Sequence, residues 1–252
     1  MLTNIGMVLL MSTEFESQAG QQLEAVFLYM GILDAYEAVG TELIGPNVLD
    51  EHVLPRMVYY VQEFLPEIFS ERTTSDVLVS ELKLFLSDFH KKVDEARSSG
   101  STQGLTMEEI WKQRAAIFGY ESVFIDILGD AAIKDYVFIR MSDILAAYLP
   151  EHLLDPNVSL TEKLNSYAKY IQDHGFVKFA RAKAEGGQIT VATNGCAFSR
   201  IHDSEAYQDL NVRFCPWGMI GSAIVSAHEG KGTSLRSSLF TTRGSVSEIE
   251  TY

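Results

Sequence analysis

Apolar residues recur at three- and four-residue steps over most of the first 175 positions, and the period then shortens to two. Leu23, Val26, Phe27, Met30, Leu33 and Tyr36 share one face, which predicts a helix over 18–39 closed by Gly40. Asn47 is placed to cap a second helix reaching Phe64, with a kink at Pro55 and an end at Pro66. Ser75 opens a third, whose inner stripe reads Val77, Leu78, Leu82, Phe85, Phe89 and Val93. Lys91 and Lys92 stand towards its C-terminus, where the macrodipole favours cations. Thr106-Met-Glu-Glu109 is a capping box, and its helix is expected to reach Phe118 and break at Gly119. Helical spacing resumes from Tyr120 to Leu149 through Val123, Phe124, Ile127, Tyr136 and Ile144, with Gly129 a point of bending and Pro150 a stop. Ser159-Leu-Thr-Glu162 is a second capping box, and its helix ends at Gly175.

From Phe176 to Lys183 the residues alternate between two faces, as in a strand. Glu185-Gly-Gly-Gln188 is a hairpin turn, and Ile189 to Thr193 returns as the partner strand. Pro216 suits the first turn of a helix running to His228, on which Gly218 and Gly221 permit close approach to a neighbour. A last hairpin is expected from Thr233 to Tyr252 around Arg243-Gly244-Ser245. The class is α+β: a helical layer on an antiparallel sheet, preceded by a helical bundle. Arg97 to Gly104 is small and polar, so the division expected is a helical region over 1–96, a linker over 97–105 and a domain over 106–252.

Charge narrows the partners. The net charge is −14, with sixteen acidic and six basic residues in the first 100 positions. Without a basic stripe, nucleic acid and anionic membrane surfaces are not expected partners. No apolar run approaches the roughly 18 residues of a membrane span. The run from Ile5 to Met11 lacks a basic flank and a cleavage signal, so it reads as a strand or core segment. Two cysteines and no export signal point to a cytoplasmic location.

Cys215 is the sharpest candidate for chemistry. It falls at a helix N-terminus, where unpaired amides and the macrodipole favour a thiolate. Cys196, Cys215, His202 and His228 are the donor types that zinc takes. They lack any C-x-x-C or H-x-x-x-H pair, so zinc is not expected. His174 reads as a partner for helix-end carbonyls. Phe118, Tyr120, Phe124, Tyr136, Phe138, Phe198, Phe214 and Trp217, with both cysteines, are candidate walls of an apolar pocket.

Several pieces in order carry a family resemblance. They are Arg114-Ala-Ala-Ile-Phe-Gly119, His174-Gly-Phe176, Asn194-Gly-Cys196-Ala-Phe198, Phe214-Cys215-Pro-Trp-Gly218 with Gly221, and the hairpin closing at Gly244. Over roughly Met107 to Tyr252 the chain resembles the 4-vinyl reductase, or hydrocarbon-binding, domain family. The resemblance implies a fold like that of haem nitric-oxide sensors and vesicle-tethering transport-particle subunits. It also implies a small hydrophobic ligand, a tetrapyrrole among the candidates, and pairing as a homodimer. The cysteine-containing tail usual in that family is replaced by Glu248-Ile-Glu-Thr-Tyr252. The readings carried forward are a ligand-binding module, a hydrolase or reductase accessory using Cys215, and a non-catalytic dimeric interaction protein.

Overall fold

The computed structural model describes residues 25–65, 75–185, 187–196, 214–241 and 243–252. The apolar run at Ile5 to Met11, Pro66, Phe198 and His202 lie outside the described residues.

The first described helix, α1, occupies 25–43 and runs past Gly40. That glycine is a contact point rather than an end, because an added Cβ would lie 3.3 Å from the Phe124 ring. A π-helical turn, Leu49–Val53, leads into α2, Leu54–Phe64. The Leu54 N–H bonds back to Leu49 O across the wide turn, and Pro55 opens the α-helical part instead of kinking it. Asn47 does not cap this element; its side chain donates to Glu51 Oε1 at 3.2 Å.

Helix α3, Ser75–Ser99, buries Leu78, Leu82, Leu86, Phe89, Val93 and Ala96. Its stripe therefore differs from the expected one: Leu86 is inside, Phe85 is half-buried and Val77 is exposed. The helix also takes in Arg97 to Ser99 at the start of the expected linker.

Helix α4, Met107–Ala132, begins with the expected capping box between Thr106 and Glu109. It does not break at Gly119. A Cβ there would sit 3.1 Å from Val53 Cγ1, so the glycine lets the π-helical turn before α2 close onto α4. The break is at Gly129, with φ 77° and ψ 162°, a conformation that glycine reaches without a Cβ clash. A second π-helical turn, Ile133–Val137, precedes α5, Phe138–Ala146. Pro150 leads into a single 3-10 turn, and α6, Leu160–Asp173, starts with the second capping box.

Strands β1, Phe179–Glu185, and β2, Gln188–Asn194, form the expected hairpin, as do β3, Thr233–Thr241, and β4, Gly244–Thr251. The order is β1-β2-β4-β3, all antiparallel, and among the described residues the sheet does not close on itself. Helix α7, Pro216–Glu229, crosses one face. Gly218 and Gly221 bring it down so far that added Cβ atoms would meet Ser247 Oγ at 2.4 Å and Val191 Cγ2 at 2.7 Å. Helix α6 is tied in by Tyr167 Oη donating to Trp217 O at 2.7 Å, and by Ala180 N donating to Gln172 Oε1 at 2.8 Å. On the other face Phe179, Leu239 and Val246 are exposed.

The structure is thus α+β, with helices over an open antiparallel sheet. Residues on both sides of 97–105 share one hydrophobic core, from Val26, Tyr29 and Val53 to Phe118 and Trp217. Gln113 Nε2 reaches back to Val26 O at 3.3 Å, and Tyr29 meets Trp217 edge-on at 5.4 Å. Among the described residues, no helix is long and apolar enough to cross a membrane.

Candidate functional site

Two places bring chemistry together. The first is the N-terminus of α7, where the sequence directs attention. Cys215 holds the cap position in extended conformation, followed by Pro216. Two opposed effects act on its thiol. Burial pushes the pKa up, while hydrogen bonds from the Ser245 hydroxyl and the Gly218 and Trp217 amides pull it down. Burial wins, so the thiol lies above its ordinary value, the opposite of what a nucleophile needs.

Cys196, at the end of the sheet, accepts from Trp217 Nε1 at 3.5 Å and is half-buried. The Trp217 ring stacks on Phe176 at 5.4 Å, and Tyr29 on its other flank carries the Arg114 guanidinium 3.7 Å above its own ring. Both cysteines and Trp217 are therefore neighbours. His228 is not with them. It lies in the last turn of α7, thirteen residues and about 20 Å of helix from Cys215.

The expected pocket walls disperse. Phe118 packs against Tyr60 at 5.9 Å. Tyr120 and Phe124 pack on Tyr36 at 6.2 and 5.4 Å, between α1 and α4. Phe138 and Phe214 meet edge to face at 4.3 Å. Tyr136 is 67% exposed. The Gly129 break and the π-helical turn rotate the chain out of the 3.6-residue phase that placed Tyr136 inside. Beside Phe138, the gap bounded by Met141, Leu145, Met219 and Leu235 is too narrow for a water molecule.

The second place was not foreseen. A groove of about 300 Å³ runs between α1, the turn before α2, and α3. Val48, Leu49, Leu86 and Tyr120 give it apolar walls, and Glu37, Lys83 and His90 give it charge. Tyr120 is the expected wall residue that lines it. Lys83 is held by Asp50 at 2.6 Å. His90 Nδ1 donates to Leu86 O at 2.8 Å, and Nε2 faces Asp34 Oδ1 at 3.1 Å and Glu37 Oε2 at 3.3 Å. The other Asp34 oxygen accepts from the Tyr148 hydroxyl. Hydrogen bonds to Asp34 and then Glu37 raise the His90 pKa to about 10. Asp34 and Glu37 stand three apart on one helical face, a visible pair, but His90 is 56 positions beyond Asp34 and joins them only through packing.

A further open groove, of about 350 Å³, lies at Lys92, Ser99 and Leu105 and has no aromatic wall. No family model, curated protein or solved structure matches the chain.

Proposed function

We propose that this protein binds a small amphipathic molecule in the groove between α1, the turn before α2, and α3. The observation that carries this reading is the junction of an apolar wall with convergent charged groups in one groove of about 300 Å³. That combination is the usual make-up of a small-molecule site, at the small end of the size range. The size favours a ligand smaller than a tetrapyrrole. Its apolar part would lie on Val48, Leu49, Leu86 and Tyr120, and a hydrogen-bond-donating head group would meet Glu37. The hydrophobic or aromatic ligand class implied by the 4-vinyl reductase resemblance is kept, and the place moves from α7 to α1. Burial of the Cys215 thiol favours binding over cysteine chemistry. Pairing of two copies, which the resemblance also implies, is tested by light scattering.

The test is a panel of phenols, hydrophobic amines and tetrapyrroles screened by thermal shift in the presence of chelator. Phenols or amines should raise Tm, and Thr41→Trp, at the exposed rim of the groove, should abolish the shift without lowering the Tm of the free protein. A panel without any shift, or a shift untouched by Thr41→Trp, would sink the proposal.

A further inference from the structure

We propose that Asp34, Glu37 and His90 form a divalent-metal site at one end of the groove, with zinc the best-matched ion. The three side chains offer Oδ1, Oε2 and Nε2 within 4.8 Å of one another. A tetrahedral zinc ion with bonds of about 2.0–2.1 Å spaces its ligand atoms about 3.3 Å apart. His90 Nε2 stands 3.1 Å from Asp34 Oδ1 and 3.3 Å from Glu37 Oε2, two edges of that size, and the two carboxylates come within 4.8 Å of each other for the third.

Two of the donors are also held from behind, as metal ligands are. His90 Nδ1 donates to Leu86 O one turn back, which leaves Nε2 as the nitrogen that faces the carboxylates. Tyr148 donates to the second oxygen of Asp34, and the Arg97 guanidinium lies 4.7 Å over the Tyr148 ring. The donors ride on two helices, so their spacing does not depend on a loop. Two carboxylates and a neutral imidazole carry a charge of two, which a divalent cation cancels. One imidazole with two carboxylate oxygens suits zinc better than calcium or magnesium. Glu37 and His90 line the groove and all three donors are partly exposed, so an ion can reach them from solvent.

Without metal, His90 Nε2 is paired with both carboxylates. A bound ion takes the place of that pairing and is held by the same three side chains. Of the other charged groups nearby, Lys83 is turned to Asp50 and Arg97 to Tyr148. The site stands on this side-chain cluster and does not require an organic ligand in the groove.

The experiment is calorimetric titration of the chelator-stripped full chain with zinc chloride near pH 7. One zinc per chain is expected. His90→Gln and Glu37→Gln should each weaken binding at least 100-fold, and Tyr148→Phe about 10-fold, with circular dichroism confirming that each variant is folded. Cys196→Ser should leave binding unchanged. The proposal is overturned by absence of stoichiometric zinc binding, or by zinc binding that survives both His90→Gln and Glu37→Gln. Because this titration uses zinc alone and the compound panel is run in chelator, each reading fails on its own evidence.

Discussion

The Glu121 carboxylate accepts a hydrogen bond from the Phe214 backbone N–H at 3.1 Å, joining the middle of α4 to the residue ahead of the α7 cap. Glu121 is fully buried, and burial raises its pKa from the ordinary 4.5 to about 8, against the smaller lowering effect of the Phe214 amide. In this range the folded state binds a proton that the unfolded state has lost. Stability therefore falls as pH rises from about 4.5 to about 8, and levels off above. The slope is at most about 1.4 kcal/mol per pH unit. Glu121→Gln should remove that decline, which urea unfolding at pH 5, 6.5 and 8 will show. Parallel pH profiles for the two proteins would mean that Glu121 is already ionised in the folded state.

His90 acts in a later window. Its folded pKa is raised to about 10, so its contribution is complete below about 6.5 and is lost as pH rises towards 10. The side chain is one-third exposed, so solvent screening holds the effect to about 1 kcal/mol. With chelator present, His90→Gln should flatten the fall between pH 6.5 and 10 while leaving the Glu121 window intact. An NMR titration placing the His90 ring pKa near 6.5 would contradict the ion triad.

Gly218 is where α7 touches the sheet most closely. Gly218→Ala would place a methyl group 2.4 Å from Ser247 Oγ and 2.6 Å from its Cβ. Overpacking of this kind costs about 1–3 kcal/mol, or about 2–10 °C of Tm in a chain of this size. Adding Ser247→Gly should recover part of the loss in a double-mutant cycle. Strict additivity of the two changes would show that the strain is relieved elsewhere.

The cysteines should react in a fixed order. Cys196 is half-buried and Cys215 is 4% exposed with a raised pKa. Iodoacetamide at pH 7.5 is expected to label Cys196 first, and Cys215 only after unfolding, as peptide mapping will report. Preferential labelling of Cys215 in the folded protein would restore the nucleophile reading.

Local chemistry was legible in the sequence, and distant chemistry was not. Thr106 with Glu109, Ser159 with Glu162, the turn after Glu185 and the start at Pro216 all depend on residues a few positions apart, and each appears as expected. Gly40 and Gly119 were misread because a glycine that breaks a helix and one that lets a neighbour approach look alike in one dimension. Tyr136 was misplaced because a π-helical turn adds a residue that a 3.6 period does not count. His90 carried no local sign of its partners, since α1 and α3 must first pack before Asp34 and Glu37 come within reach.

Among the described residues the open sheet has two outer strands, β1 and β3, and both carry features that oppose growth. In β3 the register shifts between Leu235 and Ser237, and Arg236 at that bulge pairs with Glu250 at 2.8 Å. In β1 the outward positions include Arg181 and Lys183. A bulge on one edge and cations on the other are the devices that stop strands of separate molecules from zipping into aggregates. Both devices disfavour direct strand-to-strand pairing between copies at these two edges.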